Sequence, residues 1–115
     1  MNIQGLSKEL SFSVFEICNS LKTEHREFEV SSQLKRSATS VAANIQESQG
    51  AESKKDFSHK LSIARKECKE TIYWLELVNE NVKFDFKLRP LITRYNQLSY
   101  MLWRIIDKSK QNLNR

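Results

Sequence analysis

The chain has 115 residues, enough for one domain with a real core and too few for two. Two glycines and one proline leave little material for turns, so loops must be few and short and an all-α chain is the natural expectation. Lys plus Arg number 19 against 14 Asp plus Glu, a formal charge of +5 that permits contact with nucleic acid or another acidic surface without requiring it.

Apolar residues at helical spacing mark four segments. Leu10, Val14, Ile17, Cys18 and Leu21 stripe the first, and the polar stretch TEHREFEV, residues 23–30, interrupts it. Leu34, Ala38, Val41 and Ile45 repeat the stripe in the second, with Gly50 as a C-terminal stop. Ser53 opens the third as a capping residue, with Asp56 three positions on. Phe57, Leu61, Ala64, Cys68, Ile72 and Leu75 then run down one side of it. NENVKFD, residues 79–85, separates it from the fourth, which carries Leu88, Leu91, Tyr95, Leu98, Leu102, Ile105 and Ile106. Pro90 suits the first turn of that last helix, where its missing N–H costs nothing. Long helices on short links become antiparallel neighbours, so the predicted architecture is an up-down-up-down four-helix bundle forming a single domain.

Cys18 and Cys68 stand apart on core stripes, as small buried hydrophobes of a reduced protein do. The opening MNIQGLSKEL has neither the basic nor the apolar region of a signal peptide, and no run nears the roughly 18 apolar residues of a membrane span. A cytoplasmic chain without membrane contact is the expectation.

In the second helix, Ser37, Ala38 and Ala42 leave the backbone nearly bare, a device that lets a neighbouring helix approach closely. Arg36, Ser40, Asn44 and Glu47 follow at i, i+4, i+8 and i+11 as one polar stripe opposite that core. The stripe reads either as a hydrogen-bonding strip for a partner or, preferred, as a polar tie to the helix end or a neighbouring subunit.

Advancing 100° per residue along the third helix sorts its surface. Lys55, His59, Ser62, Lys66, Lys69 and Tyr73 gather opposite the core. Lysines bind phosphate as point charges and an aromatic ring stacks on a base, so Lys55, His59, Lys66, Lys69 and Tyr73 form the nucleic-acid candidate. Glu67 and Glu70 interrupt the positive field nearby, and a solvated lysine face is the plain alternative. Ile63, Trp74 and Leu77 lie off the core on a flank shared with those two glutamates. A second apolar strip points to a homo-oligomer interface, unless Phe84 and Phe86 of the following loop cover it. Trp103 also sits away from its helix's stripe.

Enzyme chemistry finds little support. Asp56 and His59 have the i, i+3 spacing of di-iron bundles, but His25, the other histidine, falls in a loop and His59 points away from the core. There is no G-x-S-x-G and no glycine-rich phosphate loop. Neither metal, cofactor nor catalysis is expected.

QLKRSATSVAANIQES, residues 33–48, followed by KKDFSHKLSIARKECKETIYWLEL, residues 54–77, resembles the bacterial four-helix bundle proteins encoded in 23S rRNA intervening sequences, often labelled a ribosomal protein. The resemblance rests on Arg36, Ser40, Asn44, Ile45, Glu47, Phe57, Ala64, Glu70 and Leu75, and runs from about residue 6 to about residue 108. Two positions depart from the pattern: Ala42 stands where proline is common, and Ser48 where glycine directly follows the glutamate, which extends the second helix toward Gly50. The resemblance implies a cytoplasmic bundle that assembles into rings, often pentamers, without enzyme activity. A related protein, the accessory variability determinant of diversity-generating retroelements, forms a basic pentameric barrel that binds a reverse transcriptase and nucleic acid. The expected partners are therefore further copies of the chain, RNA or DNA, and a reverse transcriptase or other protein. The alternative is a protein-protein interaction module whose charge serves solubility.

Overall fold

A computed structural model describes residues 2–84 and 87–113. It consists of four antiparallel helices, α1 (Ile3–Thr23), α2 (Phe28–Ser48), α3 (Lys54–Asn81) and α4 (Arg89–Leu113). Each packs against its neighbours in sequence, and α4 closes the ring against α1. The result is a rod with extents of 52 × 21 × 21 Å. No helix among the described residues is long and apolar enough to cross a membrane.

The helix starts follow local chemistry. Asn2 Oδ1 accepts the Gly5 N–H at 2.7 Å, and Ser53 Oγ accepts the Asp56 N–H at 3.0 Å, each satisfying a donor that the first turn leaves free. Pro90 falls in the first turn of α4.

The links are shorter than the polarity of the sequence predicts. Phe28, Glu29 and Val30 already belong to α2, because Val30 packs on the core. The reversal is confined to residues 24–27, where Arg26 adopts a left-handed φ of 56° and the Glu27 N–H donates to Leu21 O at 2.8 Å. At the far end of α2, Gly50 has no positive φ, so its conformational freedom is not what stops the helix. The Gln49, Gly50 and Ala51 N–H groups instead bond three residues back at 3.1–3.2 Å, tightening the chain into a turn just ahead of the Ser53 cap. Helix α2 therefore ends at Ser48, short of Gly50. Asn79, Glu80 and Asn81 remain helical in α3.

Leucine and isoleucine side chains such as Leu10, Leu34, Ile45, Leu61, Leu75 and Leu98 are fully buried along the axis. Small polar groups bridge three of the seams. Ser31 Oγ donates to Cys18 O at 3.1 Å while Cys18 Sγ donates to Ser31 O at 3.3 Å, joining α1 to α2. Thr71 Oγ1 donates to Ser37 Oγ at 2.8 Å between α3 and α2, and Cys68 Sγ donates to Tyr95 O at 3.2 Å between α3 and α4. These short contacts need small side chains, the packing role read for Ser37 and its neighbours.

Burial pushes both thiols up, Cys68 to about 12. A raised folded value means that the associated stability is whole below the unfolded thiol value of about 8.5 and falls as pH rises toward about 12. Neither thiol should therefore label with a disulfide reagent at mildly alkaline pH until urea unfolds the chain. Rapid labelling of the native protein would contradict the buried placement. The turn gives a second test. Arg26→Gly should stabilise the fold by about 1 kcal/mol in urea unfolding, because glycine enters the left-handed region without strain.

Candidate nucleic-acid interface

Helix α3 lies between α2 and α4, and its two flanks carry opposite chemistry. On the α2 flank, Arg36 Nη1 pairs with Glu67 Oε2 at 3.1 Å and Arg36 Nη2 with Glu70. Lys60 Nζ reaches Glu47 Oε2 at 3.4 Å. Asn44 Nδ2 donates back along its own helix to Ser40 O at 2.9 Å and to Ser40 Oγ at 3.2 Å. Arg36 and Glu47 thus reach across to α3 and the stripe borders that seam within the chain; it does not point away from the bundle. The reason is geometric: a helix in a ring of four touches two neighbours, so the residues beside its core stripe cover a seam. Glu67 is largely covered, but Arg36 and Glu47 are open to solvent, so each pair contributes at most about 1 kcal/mol.

The same geometry corrects the reading of Ile63, Trp74 and Leu77 as an open apolar strip. All three are partly buried on the flank that bears Glu67 and Glu70, and Trp74 packs on the core. Leu77 shares a crevice with Leu21, Val30 and Val82. Phe84 also packs on the core, its ring centre 5.1 Å from that of His25 in an edge-to-face arrangement, while Phe86 lies outside the described residues. The open phenylalanines are elsewhere: Phe12 is 60% exposed, Phe15 44%, and Phe28 is exposed at the start of α2. Phe12 and Phe15 fall between the α1 core positions Leu10, Val14 and Ile17, a signal the sequence carries and the wheel of α3 alone passes over. Lys35 Nζ of α2 stands 4.7 Å from the Phe15 ring centre.

The α4 flank of α3 is a groove. Ser62, Arg65, Lys66 and Lys69 line one wall, and Trp103, Ile106, Asp107 and Lys110 the other. The buried Cys68–Tyr95 contact joins the same two helices. Ile106 is buried, whereas Trp103 is 45% exposed. Four cations thus face one carboxylate, and Asp107 accepts a bond from Gln111 Nε2 at 3.0 Å. Among the described residues no carboxylate pairs with Arg65, Lys66, Lys69 or Lys110. Arg36, Lys60, Arg89 and Arg94, at the other seams or outside the groove, are all ion-paired. Glu67 and Glu70 do not weaken this field as their sequence proximity suggests, because they turn to the other flank and meet Arg36.

Aromatic rings extend the groove. Tyr73, 57% exposed, stands one turn beyond Lys69 on α3. Tyr100, equally exposed, precedes Trp103 by one turn on α4; the two rings are near-parallel at 25° with centres 6.1 Å apart. The Arg104 guanidinium carbon lies 6.0 Å from the Tyr100 ring centre. Lys55 and His59 are exposed toward the start of α3 and do not line the groove. Of the five predicted binding residues, Lys66 and Lys69 are groove walls and Tyr73 is their continuation. Arg65, Trp103 and Lys110 are additions that require knowing which α4 residues lie beside α3. Asp56 and His59 have no metal partner set; among the described residues no three His, Cys, Asp or Glu side chains gather.

These features define an antiparallel four-helix bundle with one neutralised polar seam and one uncompensated cationic groove. The chain belongs to the 23S rRNA-intervening sequence protein family, which it matches over residues 1–104. It is similar to the crystal structure of a protein of unknown function from the S23 ribosomal protein family of Bacteroides thetaiotaomicron, with a TM-score of 0.86 and 34% identity over 91% of this chain and 98% of that one. No curated protein matches it.

Proposed function

We propose that the chain is a non-enzymatic helical scaffold that self-associates and holds nucleic acid against the α3/α4 groove. The observation that carries the reading is the set of four cations, Arg65, Lys66, Lys69 and Lys110, collected in one groove without ion pairs among the described residues. A polyanion is the natural complement to such a set, since binding releases the counterions condensed on its phosphates. Self-association follows the family resemblance, which implies rings, and draws support from the open rings of Phe12 and Phe15 on α1. A ring repeats a modest groove several times, so copies engaging one strand raise its avidity. A reverse transcriptase or other nucleic-acid enzyme fits the same reading as a second partner. The competing protein-interaction module would use Phe12 and Phe15 and leave the groove idle.

Two measurements separate these readings. Binding to a structured RNA should weaken with salt at a log–log slope of about −3 per groove, from four phosphates at roughly 0.7–0.9 each. Lys66→Glu with Lys69→Glu should abolish it while circular dichroism stays unchanged. Salt-insensitive binding, or none, contradicts the nucleic-acid reading. Light scattering should find a discrete multimer that Phe12→Glu with Phe15→Glu reduces to a monomer; a monomeric native chain contradicts the scaffold.

A further inference from the structure

Resting on the groove being a nucleic-acid site, we infer that it takes an unpaired strand and discriminates against duplex. The cations account for phosphate binding of either form, but they do not account for the rings. Trp103 is half exposed in the α4 wall, across from Arg65, Lys66 and Lys69 on α3, where a groove built only for phosphate has no use for an indole. Tyr100 and Tyr73 continue outward from it, one turn toward the start of α4 and one turn past Lys69 on α3. Because α3 and α4 are antiparallel, those two displacements run the same way along the rod, so both tyrosines extend the site in one direction. From Ser62 to Tyr73 the path is about 16 Å at 1.5 Å per residue.

The ring geometry suits bases. Tyr100 and Trp103 stack on one another and the Arg104 guanidinium lies over the Tyr100 ring, so the three side chains form one short stack, which a base can extend where the half-exposed rings remain open. Base stacking on such side chains does not depend on sequence, because every base has a π-face. In a duplex those faces are consumed by neighbouring base pairs, and only phosphate and groove edges remain to be touched. A single strand can place its phosphates on Lys66 and Lys69 and turn its bases onto Trp103 and Tyr100. It engages both parts of the site, whereas a duplex engages one.

The test compares a short fluorescently labelled RNA strand of mixed sequence with the same strand annealed to its complement, by anisotropy at low salt. The native chain should bind the single strand at least roughly ten-fold more tightly, the size of one stacked base. Trp103→Ala should remove most of that preference and leave duplex binding unchanged. Tyr100→Ala, at a more exposed position, should reduce it likewise and guards against misfolding of the first variant. Lys66→Glu with Lys69→Glu should abolish binding of both forms. Equal affinity for the two forms, or ring variants that bind the single strand as the parent does, would overturn the inference while the charge-reversed protein still upholds the groove. Absence of binding to either form would instead remove the nucleic-acid reading itself.

Discussion

Ser37 and Thr71 meet through their hydroxyls at 2.8 Å, both fully buried, where α2 and α3 pack together. That contact seats α3 against α2, and the seating decides which way everything else on α3 points. Arg36 falls opposite Glu67 and Glu70, and Glu47 opposite Lys60, so the acidic flank is neutralised within the chain. The remaining flank carries Arg65, Lys66 and Lys69 toward α4, where no carboxylate among the described residues pairs with them. Were α3 rotated by a quarter turn, its glutamates would enter the groove and cancel the field. The energetic weight of the visible ion pairs is small; buried packing and the short Ser37–Thr71 contact hold the rotation.

The helices were legible because the apolar stripe is a direct consequence of burial, and burial is the largest favourable term. Link boundaries were not. Phe28 and Val30 lie within a polar stretch, and only the packing of Val30 on the core shows that α2 has already begun. Gly50 looked like a helix stop, yet the chain turns there through backbone bonds that need no left-handed residue.

The site was half legible for a related reason. A helical wheel gives the angle of each residue about its own axis but does not say which neighbour lies at that angle. Lys66 and Lys69 were visible as an outward basic face, whereas Trp103 and Lys110 join them only through the packing of α4 beside α3. Ile63, Trp74 and Leu77 show the same limit: the wheel sets them off the core stripe, and the packed bundle leaves all three partly buried. The resemblance carried by Arg36, Asn44 and Glu47 was sound, and in this chain those side chains serve the α2–α3 seam or brace α2 itself.

The account turns on one claim, that ligand contact belongs to the α3/α4 groove. Backbone amide NMR of the protein titrated with a short single-stranded RNA tests it most directly, since it localises contact without altering any side chain. The account predicts shifts concentrated from Ser62 to Tyr73 and from Tyr100 to Lys110, with the Trp103 indole N–H among the largest. Shifts centred on Phe12, Phe15 and their α2 neighbours, with the groove silent, would contradict it.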